Sequence, residues 1–532
     1  MPVSLRSYVH LLYHPTVMSN SKQKEIFILI LCLLLGFALR FYTFDQKSLW
    51  MDEIHTFNDS KDGLKDQLRF YKEKPTYLHP PLFFLLTHFF HPFTEPERDL
   101  RIIPLVFGTL SILMIYFLAK LFSVSIAVPC TISLTFMVYH ISLSQDGRVY
   151  ALLMFFGMTG LYFLIKHLQT SKRRYLFPAA FFFALLFHTS YSSIPFIALS
   201  QILWFYRLDE DAEKPHFSSF LVFNGILLLF CLPWILFVAV NYKGRPFMDL
   251  FHREDTGSFT SILYGIFHDW VPHAPLMIIS VILLILYPIF SKFRKNAFVF
   301  LGIFILPIGG LYLYCKLFKI THFITSRYFI LFLPLFFITL YLALNTIEEK
   351  FEKFRKILRL RFLFVILLVS SNLVILPLYY RSEKQNFKGL VGYLKKELRV
   401  GDKIFDSEMM GTLGILHYFG ASPEKRHFIL DSLKLTGKGI EYTKSFTYQN
   451  RKFTIYHSKD CCSQYIEKGS RLWIITGNNI AKTLTENTSI VLKAYFDGSF
   501  SSFDRFPTDA SMYLFLWDSE SRDEKGIDML IE

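Results

Sequence analysis

The stretch "IIPLVFGTLSILMIYFLAKL", residues 102–121, carries a single charged side chain, Lys120, in twenty residues. A helix of about 20 apolar residues spans the hydrocarbon core of a bilayer, so the stretch predicts a transmembrane helix. Comparable apolar runs recur through the first 380 residues and then stop. We predict eleven such helices, near residues 26–44, 102–121, 124–143, 148–166, 176–189, 191–206, 218–240, 276–291, 297–315, 327–346 and 362–379.

Composition supports a polytopic α-helical membrane protein with a soluble tail. The chain has 532 residues, of which 52% are hydrophobic and 19% are charged, whereas an average soluble domain is about 25% charged. The formal net charge is +14, but the basic residues form short clusters between apolar runs. That distribution is typical of membrane topology and of contact with anionic membrane lipids, so we expect no nucleic-acid partner.

Lysine and arginine in the short loops indicate the orientation. If the N-terminus is cytoplasmic, the basic loops at 172–174, 291–295 and 350–361 are also cytoplasmic, and an odd number of spans puts the tail outside. We therefore predict an integral protein of a plasma membrane, such as a bacterial inner membrane. Its predicted parts are a cytoplasmic N-terminus (1–25), a transmembrane domain (26–379) and an extracytoplasmic domain (380–532).

Two regions are predicted to lie outside the membrane on the same face. The tail mixes helix-like stretches with strand-like runs such as "RLWIITG", which favours a small α/β domain. The first outer loop, 45–100, contains two candidate interfacial helices. One, 63–74, has an amphipathic pattern, and the other, 82–93, is apolar but too short to span a bilayer.

The first outer loop opens with "SLWMDEIHTFNDS", residues 48–60, in which Asp52 and Glu53 stand next to the bilayer surface. We predict both as catalytic carboxylates that take up a proton or stabilise positive charge. In a helix, His55 would share a face with Asp52, while Glu53 would point about 100° away. The alternative is an acidic first turn that the helix dipole favours.

Two outer helix ends carry an arginine and a tyrosine. Arg148 and Tyr150 follow Asp146 in "SQDGRVYALL", residues 144–153. Arg327 precedes Tyr328 in "THFITSRYFILFLP", residues 321–334. These arginines and tyrosines are predicted to bind a lipid phosphate, with Asp146 in support. The alternatives are snorkelling side chains and an interfacial aromatic belt.

A further supporting residue is predicted at His79, which precedes two prolines in "YLHPPLFF". The alternative is a structural corner, because prolines stiffen the approach to a helix. Two arginines and a carboxylate at the depth of a lipid head group are suited to displacing a lipid phosphate from a group that it carries.

Several stretches resemble, in order and spacing, the protein O-mannosyltransferase and aminoarabinose-transferase group of GT-C membrane glycosyltransferases. They are "SLWMDEIHTF", "HPPLFFLLTHFF", "ERDLRIIPLVFGTLSILMIYFLAKLF", "SQDGRVYALLMFFGMTGLYFLI", "SRYFILFLPLFF" and, in the tail, "NFKGLVGYLKKELRVGDKIF". The close matches cover about 45–170 and 320–345, and residues 205–320 show no such match.

The resemblance implies a GT-C fold and an inverting transfer of a sugar from a polyprenyl-phosphate donor. It implies that Asp52 is the base and that Arg148 and Arg327 face the lipid phosphate. Members of the family often have Glu where this chain has Asp146, which keeps the negative charge on a shorter side chain. The acceptor would be a lipid, a glycan or a protein on the extracytoplasmic face. We expect no cofactor and no metal: Asp52 and Glu53 could share a divalent cation, but no third ligand is evident in the sequence.

The main alternative is a flippase or transporter of lipid-linked sugars without transferase activity. Transporters place charged or broken-helix elements near the middle of the membrane. Here the polar cluster lies at one face and the apolar runs carry almost no ionisable residues, which favours an enzyme. A non-catalytic sensor would account for the tail but not for the carboxylates of the first outer loop.

Overall fold

A computed structural model describes most of the chain. The described residues are 20–73, 79–205, 216–242, 258–290, 294–317, 324–351, 359–407, 411–421, 434–436, 439–458, 462–465, 469–485, 489–498, 511–519, 526–527 and 529. Residues 1–19 of the predicted cytoplasmic N-terminus lie outside this set, as does the greater part of the basic loops at 291–295 and 350–361.

The transmembrane domain is helical throughout its described part, and each of the eleven predicted spans falls on a helix or a pair of helices. The helices are Asn20–Phe41, Ile102–Phe122, Val124–Phe136, Val138–Ser144, Tyr150–Thr170, Leu176–Thr189, Ile194–Ser200, Phe217–Asn241, Phe259–Trp270, Ala274–Phe290, Arg294–Leu317, Leu333–Lys350 and Leu360–Arg381. Short 3₁₀ turns extend two of them, at Tyr191–Ser193 and Gln201–Phe205 around Ile194–Ser200 and at Ser326–Phe332 before Leu333–Lys350.

The chain is an integral membrane protein. Among the described residues, five helices are long and apolar enough to cross a bilayer on their own, and two bent pairs raise that number to seven. The polytopic helical class is therefore confirmed. The count of eleven stays a prediction, because helices such as Leu176–Thr189, with 14 residues, are short for a full crossing.

The span predicted near 124–143 is broken in the structure, because the helix is interrupted at Met137 and its two halves bend by 62°. The backbone groups that the break releases find partners in other helices. Carbonyl oxygens of Leu134 and Thr135 accept hydrogen bonds from the buried Arg40 guanidinium at 3.0 and 3.2 Å. The amide of Val138 donates to Asn372 Oδ1 at 2.8 Å. Unpaired backbone groups are costly in lipid, so these two polar side chains stabilise the break.

The first outer loop folds onto the ends of the membrane helices. It contains the helices Met51–Ser60, Leu64–Glu73, Leu82–His88 and Pro96–Asp99. The predicted helix at 63–74 is present, and its Tyr71 is buried against Trp234, with 6.0 Å between ring centroids. The predicted helix at 82–93 is shorter than expected and ends at His88.

The tail is an α/β domain, as predicted. Its strands are β1 (Lys403–Asp406), β2 (Lys434–Thr436), β3 (Gly439–Tyr448), β4 (Arg451–His457), β5 (Arg471–Thr476), β6 (Ile490–Phe496) and β7 (Met512–Asp518). They form a sheet of order β2-β3-β4-β1-β5-β7-β6, in which β1 pairs in parallel with β4 and β5 and the other pairs are antiparallel. The helices of this domain are Phe387–Glu397, Gly411–Tyr418 and Asn478–Thr485, with a 3₁₀ turn at Cys462–Tyr465.

One apolar core joins the tail to the first outer loop. Leu49, Ile54 and Leu100 of the loop region are fully buried in the same cluster as Leu390 and Trp473 of the tail. Burial of apolar side chains is worth roughly 1.5–3 kcal/mol each. The tail is therefore docked on the segment that carries Asp52 and Glu53 rather than tethered beside it.

We expect the predicted orientation to show in reporter fusions. Alkaline phosphatase joined after Glu532 should be active, because an odd number of spans and the basic inner loops put the tail outside. The matched control is a fusion truncated at Arg173, in a basic loop, where the phosphatase should be inactive. Phosphatase activity at Arg173 with none after Glu532 would reverse the orientation.

Candidate functional site

The site begins at the helix Met51–Ser60, which places its acidic pair in the first turn. The helix dipole favours acidic residues there, and successive helical residues point about 100° apart. Asp52 and Glu53 consequently enter two different environments. The Asp52 side chain is 22% exposed, whereas the Glu53 side chain is only 1% exposed.

Glu53 is held in a buried ion pair with Arg101, at the start of the helix Ile102–Phe122. Arg101 Nε and Nη2 donate to the two Glu53 carboxylate oxygens at 2.7 and 2.6 Å. The amide of Gly147 donates to Glu53 Oε1 at 2.6 Å. A carboxylate with both oxygens occupied and no solvent access is poorly placed for proton transfer, so the geometry does not favour the predicted catalytic role of Glu53.

Arg101 also holds the preceding chain, and the sequence analysis did not single it out. Its guanidinium donates to the carbonyl oxygens of Phe44, Lys47 and Ser48 at 2.9–3.0 Å. The pair therefore fixes both the entry to the first outer loop and the turn at Gly147. The available signal was an arginine directly before an apolar run, at the outer end of a predicted span.

Asp52 lies between the two predicted phosphate-binding arginines. Arg148 Nε and Arg327 Nη1 are 4.0 and 3.9 Å from Asp52 Oδ2. Arg148 Nη1 also donates to the Asp52 backbone carbonyl at 3.1 Å and to Thr56 Oγ1 at 3.0 Å. The first outer loop and two helix ends that are distant in sequence therefore meet in one cluster. The carboxylate contacts both cations instead of facing them across a gap.

The electrostatic environment keeps Asp52 ionised. Burial opposes its ionisation, but the positive charges of Arg148 and Arg327, with smaller effects from His55 and Lys384, outweigh burial and lower the pKa of Asp52 below its ordinary value. Burial lowers the pKa of His55, which the Asp52 carboxylate only partly offsets. We infer that His55 is neutral at pH 7 and lies within the field of Asp52.

Asp146 does not pair with Arg148, although it is only two residues away. Its Oδ1 accepts a hydrogen bond from Trp50 Nε1 at 2.9 Å, and its Oδ2 lies 2.8 Å from Lys384 Nζ. Asp146 therefore connects the turn at 144–149 to the first outer loop and to the segment that leads into the tail. Lys384 was missed in the sequence because it is 238 residues from Asp146 and no local pattern links the two.

The predicted tyrosines surround the Arg327 guanidinium. Its central carbon is 5.3 Å from the centroid of the Trp50 ring and 5.9 Å from those of Tyr150 and Tyr328. Aromatic faces attract a guanidinium through their negative π-surface, so the rings hold Arg327 in place. The ring of His79, by contrast, lies beside Phe84 with 6.4 Å between centroids, a contact that gives no support for a role at Asp52.

A buried carboxylate anchors the turn that carries Arg327. Ser326 Oγ donates to Asp269 Oδ2 at 2.5 Å, and both residues are at most 1% exposed. Asp269 lies in the helix Phe259–Trp270, which bends by 107° into the next helix. The sequence signal was an aspartate in an otherwise apolar stretch, "ILYGIFHDWV", within the region that the resemblance does not cover.

Metal binding stays untested. Within the described ranges, no group of three or more His, Cys, Asp or Glu side chains is arranged to hold a metal ion. Asp52 lies against two arginines and Glu53 is enclosed by Arg101, so the two carboxylates do not converge on one point.

Comparisons with known proteins bear on the family and on the fold. Residues 78–237 match the sequence model of the family described as dolichyl-phosphate-mannose-protein mannosyltransferase. The apo crystal structure of ArnT from Cupriavidus metallidurans is similar, with a TM-score of 0.53 and 10% identity over 94% of this chain and 99% of that one. No curated protein sequence gives a significant match.

A second solved structure is more distant. The archaeal oligosaccharyltransferase AglB from Archaeoglobus fulgidus, in complex with an inhibitory peptide and a dolichol-phosphate, aligns with a TM-score of 0.43 and 11% identity, over 75% of this chain and 64% of that one. Together the family match and the ArnT likeness confirm the resemblance drawn from the sequence. The fold is that of the GT-C membrane glycosyltransferases.

We expect the Glu53–Arg101 pair to be essential for stability. Replacing Arg101 by Met leaves a buried carboxylate without its cation, a change that costs about 3–5 kcal/mol. The purified variant should unfold at a clearly lower temperature than the parent protein. The matched control is Arg69→Met, because Arg69 is 70% exposed in its pair with Asp66 and such exposed pairs contribute about 0–1 kcal/mol. Equal melting temperatures for the two variants would contradict the assignment.

Proposed function

We propose that this protein is an inverting glycosyltransferase that moves a sugar from a polyprenyl-phosphate donor to an acceptor on the extracytoplasmic face of the membrane. The observation that carries the proposal is the position of Asp52, within about 4 Å of Arg148 and Arg327 at the outer ends of membrane helices. The match of residues 78–237 to a family named for a dolichyl-phosphate sugar donor supports it.

The arginines are suited to the donor's leaving group. A sugar linked to polyprenyl phosphate is a phosphodiester with one negative charge, and breaking the bond between the sugar carbon and the phosphate oxygen leaves a polyprenyl phosphate with up to two. Cations aimed at a growing charge lower the barrier, because they bind the transition state more tightly than the ground state. Arg148 and Arg327 would take this role.

A bound donor phosphate would take the two arginines from Asp52, and the released carboxylate would act on the other face of the sugar. The acceptor oxygen attacks the anomeric carbon as the phosphate departs, its proton passes to Asp52, and a single displacement inverts the anomeric centre. The lowered pKa of Asp52 makes it a weak base when the donor is absent. A bound phosphate would compete for the two arginines, weaken their hold on Asp52 and so raise its proton affinity.

The acceptor belongs to one of three classes: a lipid, a glycan or a protein. For a hydroxyl acceptor, Asp52 would remove or orient the proton. For an acceptor that is already anionic, Asp52 would only position it or stabilise positive charge on the sugar. Membrane lipids surround the bundle in either case, and the donor's hydrocarbon tail would lie among the helices.

A flippase or transporter of lipid-linked sugars is the second candidate. The broken membrane helices, at Met137 and between Trp270 and Ala274, are a feature that transporters also use. The polar cluster at one face of the bundle favours a transferase. Incubating the purified protein with radiolabelled polyprenyl-phosphate sugar separates the two, because transfer or hydrolysis of the sugar indicates an enzyme and counterflow of the intact lipid indicates a flippase.

We expect Asp52→Asn to lower the rate of sugar transfer about 10²–10⁴-fold, the usual contribution of general-base assistance, while the protein still folds and inserts. The rate is measured with a polyprenyl-phosphate sugar in detergent or nanodiscs. Glu53→Gln should lose melting temperature as well as activity, which distinguishes the two carboxylates. Normal transfer by the Asp52 variant would remove this residue from the mechanism.

The same assay gives a pH dependence with a defined sign. Because the pKa of Asp52 lies below its ordinary 3.8, the carboxylate of the free enzyme is ionised above about pH 4. The profile of kcat/KM, which follows the free enzyme, should show no loss from protonation of Asp52 between pH 5 and 8. A loss of kcat/KM centred near pH 6 that Asp52→Asn abolishes would contradict the lowered pKa.

Arg148→Ala and Arg327→Ala should each weaken use of the donor, raising KM for the lipid-linked sugar and lowering kcat, because each removes a cation from the leaving phosphate. The matched control is Arg69→Ala, since Arg69 forms an exposed pair with Asp66 on the outer loop and is 70% exposed. If both site variants kept the parent's dependence on donor concentration, the arginines would be interfacial anchors.

A further inference from the structure

The segment between the last membrane helix and the tail, residues 382–386, forms hydrogen bonds to the first outer loop on either side of Trp50. Glu383 Oε2 accepts a hydrogen bond from the Ser48 amide at 3.0 Å, and Gln385 Oε1 accepts one from the Met51 amide at 2.9 Å. Lys384 lies between these two anchors in the sequence. The positions of Lys384 and of Trp50 are therefore coupled through the backbone of the loop that carries Asp52.

The Lys384 side chain reaches into the polar cluster. Its Nζ is 2.8 Å from Asp146 Oδ2 and 4.2 Å from the centroid of the Trp50 ring, while Trp50 Nε1 donates to the other oxygen of Asp146 at 2.9 Å. Three side chains from three separate parts of the chain thus form a closed set of contacts. Asp146 is only 2% exposed, so its negative charge depends on partners within the protein.

The charges in this cluster determine what an incoming phosphate meets. The Asp146 carboxylate forms no ion pair with Arg148, but its negative charge acts on that arginine, so an uncompensated Asp146 would repel an incoming phosphate. With Lys384 in place, Asp146 is neutralised by a lysine instead. Arg148 and Arg327 are then opposed mainly by Asp52, and the cluster of three cations and two carboxylates keeps a net positive charge.

We propose that Lys384 is a positioning residue of the donor site: by neutralising Asp146 and contacting the Trp50 ring, it leaves Arg148 and Arg327 available to a lipid phosphate. The extracytoplasmic domain is then part of the donor site, since the segment that leads into it supplies this lysine. The inference rests on the proposed function and assigns a specific task to a residue outside the transmembrane domain.

The test is binding of undecaprenyl phosphate to the purified full-length protein in nanodiscs, together with KM and kcat for a polyprenyl-phosphate sugar. Lys384→Met should weaken binding and raise KM by about tenfold or more, because the uncompensated Asp146 carboxylate would weaken a charge-assisted contact between an arginine and the phosphate. The effect on kcat should be smaller. Lys384→Arg should retain binding. The matched control is Lys388→Met, because Lys388 also joins the tail to the outer loop, 3.6 Å from Glu97, but is 58% exposed.

A second variant separates this role from simple docking of the tail. Adding Asp146→Asn to Lys384→Met removes the uncompensated carboxylate, so the double variant should recover a large part of the lost binding. If Lys384 only fastened the tail, the second substitution would restore nothing, and that result would overturn the proposal. Equal binding by Lys384→Met and Lys388→Met would also overturn it.

The outcome for the parent protein keeps the two proposals apart. A parent protein that binds undecaprenyl phosphate and transfers sugar, with Lys384→Met no different from it, refutes the role of Lys384 alone. A parent protein that neither binds the lipid nor transfers sugar refutes the proposed function, and the role of Lys384 falls with it.

Discussion

The ion pair between Glu53 and Arg101 is the constraint on which the site depends. It joins the first turn of the outer-loop helix to the outer end of a membrane helix, and Arg101 additionally holds three carbonyl oxygens of the chain that leads into the loop. Burying an ion pair costs desolvation free energy. Here that cost is offset by two hydrogen bonds between Arg101 and Glu53 and by a third hydrogen bond, which the backbone amide of Gly147 donates to Glu53. With Glu53 fixed, the position of Asp52 follows from helix geometry.

Asp52 illustrates how two adjacent carboxylates acquire different tasks. A rotation of about 100° per residue turns Glu53 inward to Arg101 and turns Asp52 toward Arg148 and Arg327 at the ends of two membrane helices. The Glu53 carboxylate is buried and both of its oxygens accept hydrogen bonds. The Asp52 side chain stays partly exposed to solvent, and its carboxylate lies about 4 Å from the two arginines, farther than a good hydrogen bond. A loose contact of that kind leaves room for a phosphate to take over the arginines.

The tail completes the site instead of standing apart from it. Its apolar core includes Leu49 and Ile54, and the segment before its first helix binds the amides of Ser48 and Met51. Through Lys384 the same segment contacts Trp50 and Asp146. Apolar burial and hydrogen bonds therefore hold the tail against the same short stretch that carries Asp52.

The sequence by itself was enough to predict the class of protein and the positions of most of its membrane helices, although not the helix Phe259–Trp270. Runs of about 20 apolar residues form helices that span a bilayer. A carboxylate pair beside such a run stands out in the sequence, because charged side chains close to the hydrocarbon core cost free energy. The sequence also singled out Asp52, Arg148 and Arg327 as candidates, because all three lie beside the ends of predicted spans, and the structure places Asp52 within about 4 Å of both arginines. An amphipathic pattern was enough to find the helix Leu64–Glu73, and strand-like runs such as "RLWIITG" located β5 but not β2, β3 or β4.

Only the tertiary structure decided which partners these residues have. Helical periodicity predicted that Asp52 and Glu53 diverge, but it did not predict the ion pair between Glu53 and Arg101. Nor did it predict that Asp146 would contact Trp50 and Lys384 and not Arg148. The break at Met137 was equally hidden, because it depends on Arg40 and Asn372 supplying hydrogen bonds from other helices. The residues in these contacts are between 48 and 238 positions apart in the sequence. Such contacts depend on how the helices and strands pack, so no local sequence pattern predicts them.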